Sequence, residues 1–190
     1  EQGLSPTLLE AYLNAAADAT FTFGRDHYHT EQHLRASGMR VVALRNSLYI
    51  DFMPYFAGDG VIRGPAGDGR FAPVARDDIA DVAVAALLDP QYDGQTLDVT
   101  GPELLTMAEV AAILTEETGR QVRFHNETVE EAYESRKPYG APDWEVTGWV
   151  TTYLAIATGE MEVISDTVKR LTGHPPMSLR EYLRRQQSAA

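Results

Sequence analysis

Apolar positions follow two alternating rhythms along this chain. Met39–Leu44 (MRVVAL) is a short unbroken apolar run between turn signals, as a strand buried on both faces would be. Ile79, Val82, Ala83, Ala86 and Leu87 instead recur at helical spacing. Ser5 and Pro6 read as an N-cap and first helical residue, opening a short helix to about Leu13. Asn14 to Thr20, small and polar, reads as a loop. A helix over about Arg25–Ala36 stops at Gly38, and the strand Met39–Leu44 follows. Leu48 to Phe56 is apolar and aromatic with Pro54 inside, so it reads as a short helix or irregular segment lining a cleft. Gly58 to Gly69 reads as loop, with Val61 and Ile62 pairing briefly, and Arg70–Ala75 as a second strand.

Asp77 is the expected cap of the next helix, and Gly94–Val99 the third strand. Capping boxes at Thr106/Glu109 and Thr128/Glu131 open two helices, with a strand over Gln121–His125 between them. Further helices cover Asp143–Thr158, Asp166–Leu171 and a segment from the Ser178/Glu181 box to about Arg185. Strands alternate with helices through the first two thirds, which predicts a parallel-type α/β sheet followed by a helical cap.

Composition narrows the function classes. The 190 residues are 44% hydrophobic and 23% charged, ordinary for a globular protein able to bury a core. A net charge of −12 repels phosphate backbones, so nucleic acid is not the expected partner. The cluster Arg180, Arg184 and Arg185 reads as a solvated helix face. No apolar run reaches membrane-spanning length, so no membrane partner is expected. The absence of cysteine excludes disulfides, thiolate zinc sites and thiol catalysis, and agrees with a cytoplasmic location. No signal-peptide pattern opens the chain. The opening at Glu1, without Met, suggests a processed or partly represented protein.

Several apparent motifs fail on spacing. His29 and His33 share a helix face, but a metalloprotease helix needs Glu directly after the first His, and here Glu31 comes two later. An ion pair of His27 with Glu31 is the simpler expectation. Gly64 to Gly69 (GPAGDG) runs into a strand rather than opening a helix, so it reads as a turn, not a phosphate loop. Tyr133 and Lys137 match Y-x-x-x-K but sit in a Glu-rich helix ending at a proline. The acidic residues Asp77, Asp78 and Asp81 suit the positive end of a helix. Arg45, Asn46 and Tyr49 differ from all of these. They follow a buried strand, where open α/β sheets bind ligands. An Asn can pair with a carboxamide through donor and acceptor together, and a Tyr can stack on a planar ring and donate a proton. The alternative is a loop clamped by Arg45 and packed by Tyr49.

The stretch ATFTFGRDHYHTEQHLRASGMRVVALRNSLYIDFMP resembles NmrA-like, atypical short-chain dehydrogenase/reductase proteins, especially the branch with bacterial NAD(P)H:quinone oxidoreductases. VIRGPAGDGRFAPVARDDIADVA, TLDVTGPELLTMAEVAAILTEETGRQV, EEAYESRKPYGAPDWEV and RLTGHPP extend the resemblance over roughly Ala15 to Leu183. It implies the C-terminal part of a Rossmann-type parallel sheet over residues 1–126, with a mainly helical substrate lobe over 127–190. It further implies an oxidoreductase using NADP or NAD on a quinone or a related small carbonyl or enone substrate.

The family's L-R-N-x-x-Y segment falls on Leu44, Arg45, Asn46 and Tyr49, which makes Arg45, Asn46, Ser47, Leu48 and Tyr49 the implied cofactor-binding loop. A helix position that is Lys in many relatives falls on His27, so Tyr49 and His27 are the implied catalytic pair. Phe52, Trp144 and Trp149 are the implied substrate lining. The family's Gly-rich pyrophosphate turn has no counterpart here, and SPTLLEAYL does not read as the strand relatives have there. The expectation is therefore weak dinucleotide binding by this chain alone. An incomplete sheet edge would also favour a homo-oligomer. The alternatives to a reductase are a non-catalytic NAD(P)-sensing or truncated binding protein, and an isomerase or cyclase using His27 and Tyr49 as acid and base.

Overall fold

The structure is a computed structural model and describes residues 6–189. Its elements are, in chain order, β1 (Pro6–Tyr12), α1 (Thr22–Ala36), β2 (Arg40–Asn46), α2 (Met53–Phe56), β3 (Val61–Gly64), α3 (Arg76–Leu88), β4 (Thr96–Val99), α4 (Met107–Thr118), β5 (Arg123–Asn126), α5 (Val129–Arg136), α6 (Asp143–Ala157), α7 (Thr167–Thr172) and α8 (Leu179–Ala189). The fold is α/β with parallel sheets, as the alternating rhythms predict. The main sheet has the order β1-β2-β4, and a smaller sheet pairs β3 with β5. In the main sheet Tyr12 lies beside Asn46, and Asn46 beside Val99. The three strands therefore end together, along one carboxyl edge.

Val42, Leu44, Leu97 and Val99 pack with Ile79, Val82 and Ala86 of α3 and Val168 of α7. On the opposite face Arg45 reaches Glu31 of α1. A larger core, including Ile50, Met53, Ile62, Phe71, Met107 and Ile156, joins the segment after β2 to α4, α6 and the small sheet. Its burial of large apolar side chains supplies most of the drive for folding. Both predicted capping boxes form in full. Gly38, at φ 81, follows α1 as the stop signal requires. Arg180 and Arg184 converge on Glu117 of α4, at 3.1 and 2.8 Å, so the basic cluster fastens α8 rather than merely facing solvent.

Three expectations are corrected. Residues 6–12 form strand β1, not a helix; the proposed cap, Ser5, lies outside the described residues. A helix this short is marginal by itself, whereas pairing with β2 in register from Pro6 to Tyr12 satisfies the backbone groups on one side of the strand. Arg70–Ala75 forms no ladder; it makes isolated bridges from Phe71 to Leu105 and from Val74 to Tyr49. Asp77 is not the cap of α3. Ala75 holds that position, and Asp51 accepts from the Arg76 N–H at 3.1 Å. The GPAGDG segment is a turn after β3, held by the Gly67 N–H donating to Asn126 Oδ1 at 2.8 Å.

A small electrostatic latch ties α3 to the approach to α8. His174 donates to the Pro175 carbonyl at 2.9 Å and to Asp81 at 3.1 Å, and lies 4.0 Å from Asp78. Asp78 accepts the Met177 N–H at 2.7 Å. The Pro175 carbonyl first, and then Asp81, hold the His174 pKa above its ordinary 6.5. A raised folded-state pKa adds stability that is complete below the unfolded value and is lost as pH rises through the folded one. The melting temperature of the chain should therefore fall across the pH range just above 6.5, and less so in His174→Asn. Equal pH slopes in the two proteins would remove the latch.

Candidate active site

The carboxyl edge of the main sheet gathers polar groups from three elements. Arg45 and Asn46 are the last residues of β2, not loop residues beyond it, because the ladders to Ala11–Tyr12 and Asp98–Val99 extend through both. Their side chains alternate across the sheet. Arg45 turns toward α1, and its guanidinium meets the Glu31 carboxylate at 2.8 and 2.9 Å, in a two-bonded fork. Glu31 is only 2% exposed. The partner of Glu31 is thus Arg45, not His27 as the helical spacing suggests.

Asn46 is fully buried, and among the described residues neither its Nδ2 nor its Oδ1 has a hydrogen-bond partner. The same holds for the adjacent Ser47 Oγ. Such groups carry a desolvation cost that folded proteins seldom leave uncompensated. Tyr49 stacks on Phe52 with ring centres 5.7 Å apart. Burial pushes its hydroxyl above the ordinary pKa of 10.0; the Asn46 amide, near it but not in hydrogen-bonding geometry, opposes that shift. Tyr12, on the neighbouring strand, is pushed up by burial and then by Tyr49.

The Tyr12 ring also meets His27 edge-on at 5.0 Å. His27 Nδ1 lies 3.1 Å from the Glu10 carbonyl, which can only accept, so Nδ1 carries the proton. Burial lowers the His27 pKa, while that carbonyl and the nearby Asp26 and Glu31 oppose it. The ring is therefore neutral near pH 7, and Nε2 is its acceptor. The loop after β1 is strapped by Glu160, whose carboxylate accepts the Thr20 N–H at 3.1 Å and also binds the Thr20 hydroxyl.

Beyond this edge a cavity of about 770 Å³ opens between α2, β3, α5 and α6. Leu48 lines it, joining it to the Asn46–Tyr49 segment; Trp149 and Tyr153 form part of its far wall. Of the three aromatic residues expected to line a substrate site, only Trp149 is among its walls. Phe52 is 43% exposed beside Tyr49, and Trp144 is 67% exposed, 6.0 Å from Phe23. His29 and His33 are exposed on α1. Tyr133 stands 3.5 Å from Thr147 and Lys137 pairs with Glu134, so the Y-x-x-x-K residues serve separate local contacts. Sequence reasoning missed Tyr12, hidden in a supposed helix, and Arg136 and Tyr153. A tyrosine set at core spacing among Val150, Leu154 and Ile156 was the available signal for the last.

No known family profile matches the chain. It is 29% identical over 184 residues to an NAD(P)H azoreductase of Xenophilus azovorans, a match covering 95% of this chain and 64% of the relative. It is 22% identical over 175 residues to an NmrA-like family domain-containing oxidoreductase of Aspergillus flavus, covering 88% of this chain and 56% of the relative. The chain thus spans between about half and two thirds of these relatives' length. Among solved structures, the NADPH-dependent quinone oxidoreductase of Escherichia coli in complex with NADPH superposes with a TM-score of 0.85. That pair shares 26% identity, over 96% of this chain and 66% of the other. The homologues and structural neighbours are therefore NmrA-like, quinone oxidoreductase and azoreductase family members, in agreement with the sequence resemblance, and the fold matches their Rossmann-like architecture.

Proposed function

We propose that this chain, with NmrA-like quinone and azo reductases as its homologues, forms the substrate side of an NAD(P)H-dependent oxidoreductase. The substrate would be a quinone or a related small carbonyl or enone compound. One observation carries the reading: the buried, unpartnered Asn46 amide at the carboxyl edge of the sheet. A nicotinamide carboxamide offers one donor and one acceptor group, the complement of that amide. Asn46, Ser47 and Tyr49 thus fit the nicotinamide end of NADP or NAD. Arg45 does not fit as a contact, because Glu31 already holds it; its part is to fix the strand end. The bound cofactor would supply the hydride.

The rest falls to the chain's own groups. Leu48, where the edge meets the aromatic cavity, sets where the acceptor lies. Tyr49, kept protonated by burial, donates to the acceptor oxygen. Neutral His27, its tautomer fixed by the Glu10 carbonyl, supports the proton supply through Tyr12. Residues 1–126 would then face the cofactor, and 127–190 the substrate. The reading describes a cytoplasmic enzyme of small molecules, with no nucleic-acid or membrane partner; among the described residues β1 pairs with β2 alone, which leaves an edge suited to self-association.

The test follows NADPH oxidation with a simple quinone, using the chain alone and the chain fused behind a Gly-rich dinucleotide-binding half. Turnover is expected in the fusion. Tyr49→Phe should lower it about a hundredfold, as loss of a general acid does, and His27→Ala by about tenfold or less. No cofactor binding in either form, or unaltered rates in both variants, would overturn the reading.

A further inference from the structure

The aromatic cavity has a polar floor that the chemistry at the sheet edge does not use. Tyr153, on α6, is 8% exposed and borders the cavity. Its ring position is fixed from two sides. It lies against Gly64, where a Cβ would come within 2.4 Å of the ring, so that residue must be glycine. The Arg136 guanidinium sits 5.5 Å from the ring centre. Arg136 is itself held firmly, donating to Glu127 at 2.9 Å, to the Ala132 carbonyl at 2.8 Å and to the Arg63 carbonyl at 3.0 Å. Glu127, 5% exposed, balances its charge.

Burial pushes the Tyr153 hydroxyl up to about 12, with Arg136 opposing, so the proton stays on at physiological pH. The Arg136 guanidinium donates toward that oxygen, which leaves the O–H proton itself free to be given to a ligand acceptor. The floor is therefore a fixed neutral donor beside a compensated ion pair. Around it stand the flat rings of Phe56, Tyr139 and Trp149, and the mouth is edged by Tyr55 and Tyr139, 79% and 73% exposed.

These features select a ligand class. Aromatic walls favour a planar ring system, through offset or edge-on contacts. A donor whose proton is free asks for a carbonyl oxygen, and punishes a ligand that lacks one. The compensated ion pair gives a charged group no reward at the floor, while the open mouth lets charged substituents stay in water. The volume of about 770 Å³ suits several fused rings better than one.

We propose that Tyr153 is the specificity anchor of this cavity, its hydroxyl donating to a carbonyl oxygen of a planar, multi-ring aromatic ligand held among Phe56, Tyr139 and Trp149. As the identity of the hydride acceptor, this rests on the oxidoreductase reading; as a binding site, it does not. Arg136 and Gly64 act through Tyr153, as positioning residues.

The chain has two tryptophans, and Trp149 alone borders the cavity, so the Trp144→Phe protein reports on the site by fluorescence. Two probes are titrated without cofactor: anthraquinone sulfonate, and anthracene sulfonate, which lacks the carbonyls. The quinone should quench Trp149 and bind about tenfold more tightly, the value of one good hydrogen bond. Adding Tyr153→Phe should erase that preference and leave anthracene binding and the melting temperature unchanged. Equal affinities in the parent, a preference that survives Tyr153→Phe, or no quenching by the quinone overturns the anchor. Tyr153-dependent binding in a protein that never oxidises NADPH would overturn the oxidoreductase reading alone. Quinone turnover without such binding would overturn the anchor alone.

Discussion

Asn46→Leu raises the melting temperature of this chain by about 5 °C and abolishes nicotinamide-dependent activity in the fused enzyme. Leu keeps the branching and heavy-atom count of Asn but has no polar atoms. In the structure the Asn46 amide is fully buried at the end of β2, and neither of its polar groups is partnered. An amide buried in that way costs about 1–3 kcal/mol. In a domain of this size each kcal/mol is worth about 2–4 °C, which gives the expected rise. A polar group that weakens the fold at the carboxyl end of a sheet strand is the signature of a site retained for function. Thermal unfolding followed by circular dichroism measures the effect. A fall in melting temperature would mean that Asn46 is already compensated in the free protein, and would remove the observation on which the oxidoreductase reading stands.

The second large effect is on the other face of the same strand. Arg45→Met leaves the Glu31 carboxylate, 2% exposed, without its partner. Breaking a buried pair from one side typically costs about 3–5 kcal/mol, because the remaining charge stays out of water. Urea denaturation should show a loss in that range. The double variant Arg45→Met/Glu31→Leu should recover most of it, since an apolar pair of similar volume carries no desolvation penalty. A loss below about 1 kcal/mol, the value of an exposed ion pair, would show that Glu31 reaches solvent once Arg45 is gone. Either result also bears on catalysis, for Arg45 and Asn46 are neighbours in one strand. Slippage of the clamp would move the amide that is proposed to meet the cofactor.

How much could be read in advance differs from element to element. The strand through Val41–Leu44 was legible because burial on both faces leaves a continuous apolar run. The capping boxes were legible because both partners lie within four residues. Strand β1 was not. PTLLEAY carries good helix formers, and what overrides them is a parallel neighbour supplied by residues 40–46. Tyr12 was lost with it, although it stands between His27 and the Asn46–Tyr49 segment. The partner of Glu31 was misassigned because helical spacing points to His27, whereas the guanidinium that holds Glu31 arrives from β2.

The sequence by itself determined the α/β class, most helix limits and the stretch where the polar edge lies, since these depend on periodicity and on contacts between near neighbours. The tertiary structure alone decided which of those residues are available for chemistry. Arg45 is withdrawn by a carboxylate 14 positions away. Asn46 is left unpartnered because the ladder carries it into the sheet. Tyr153 is set in an aromatic cavity by a glycine and an arginine from other elements. Hydrogen-bond satisfaction and burial depend on what the whole chain brings together, and no local window of residues contains them.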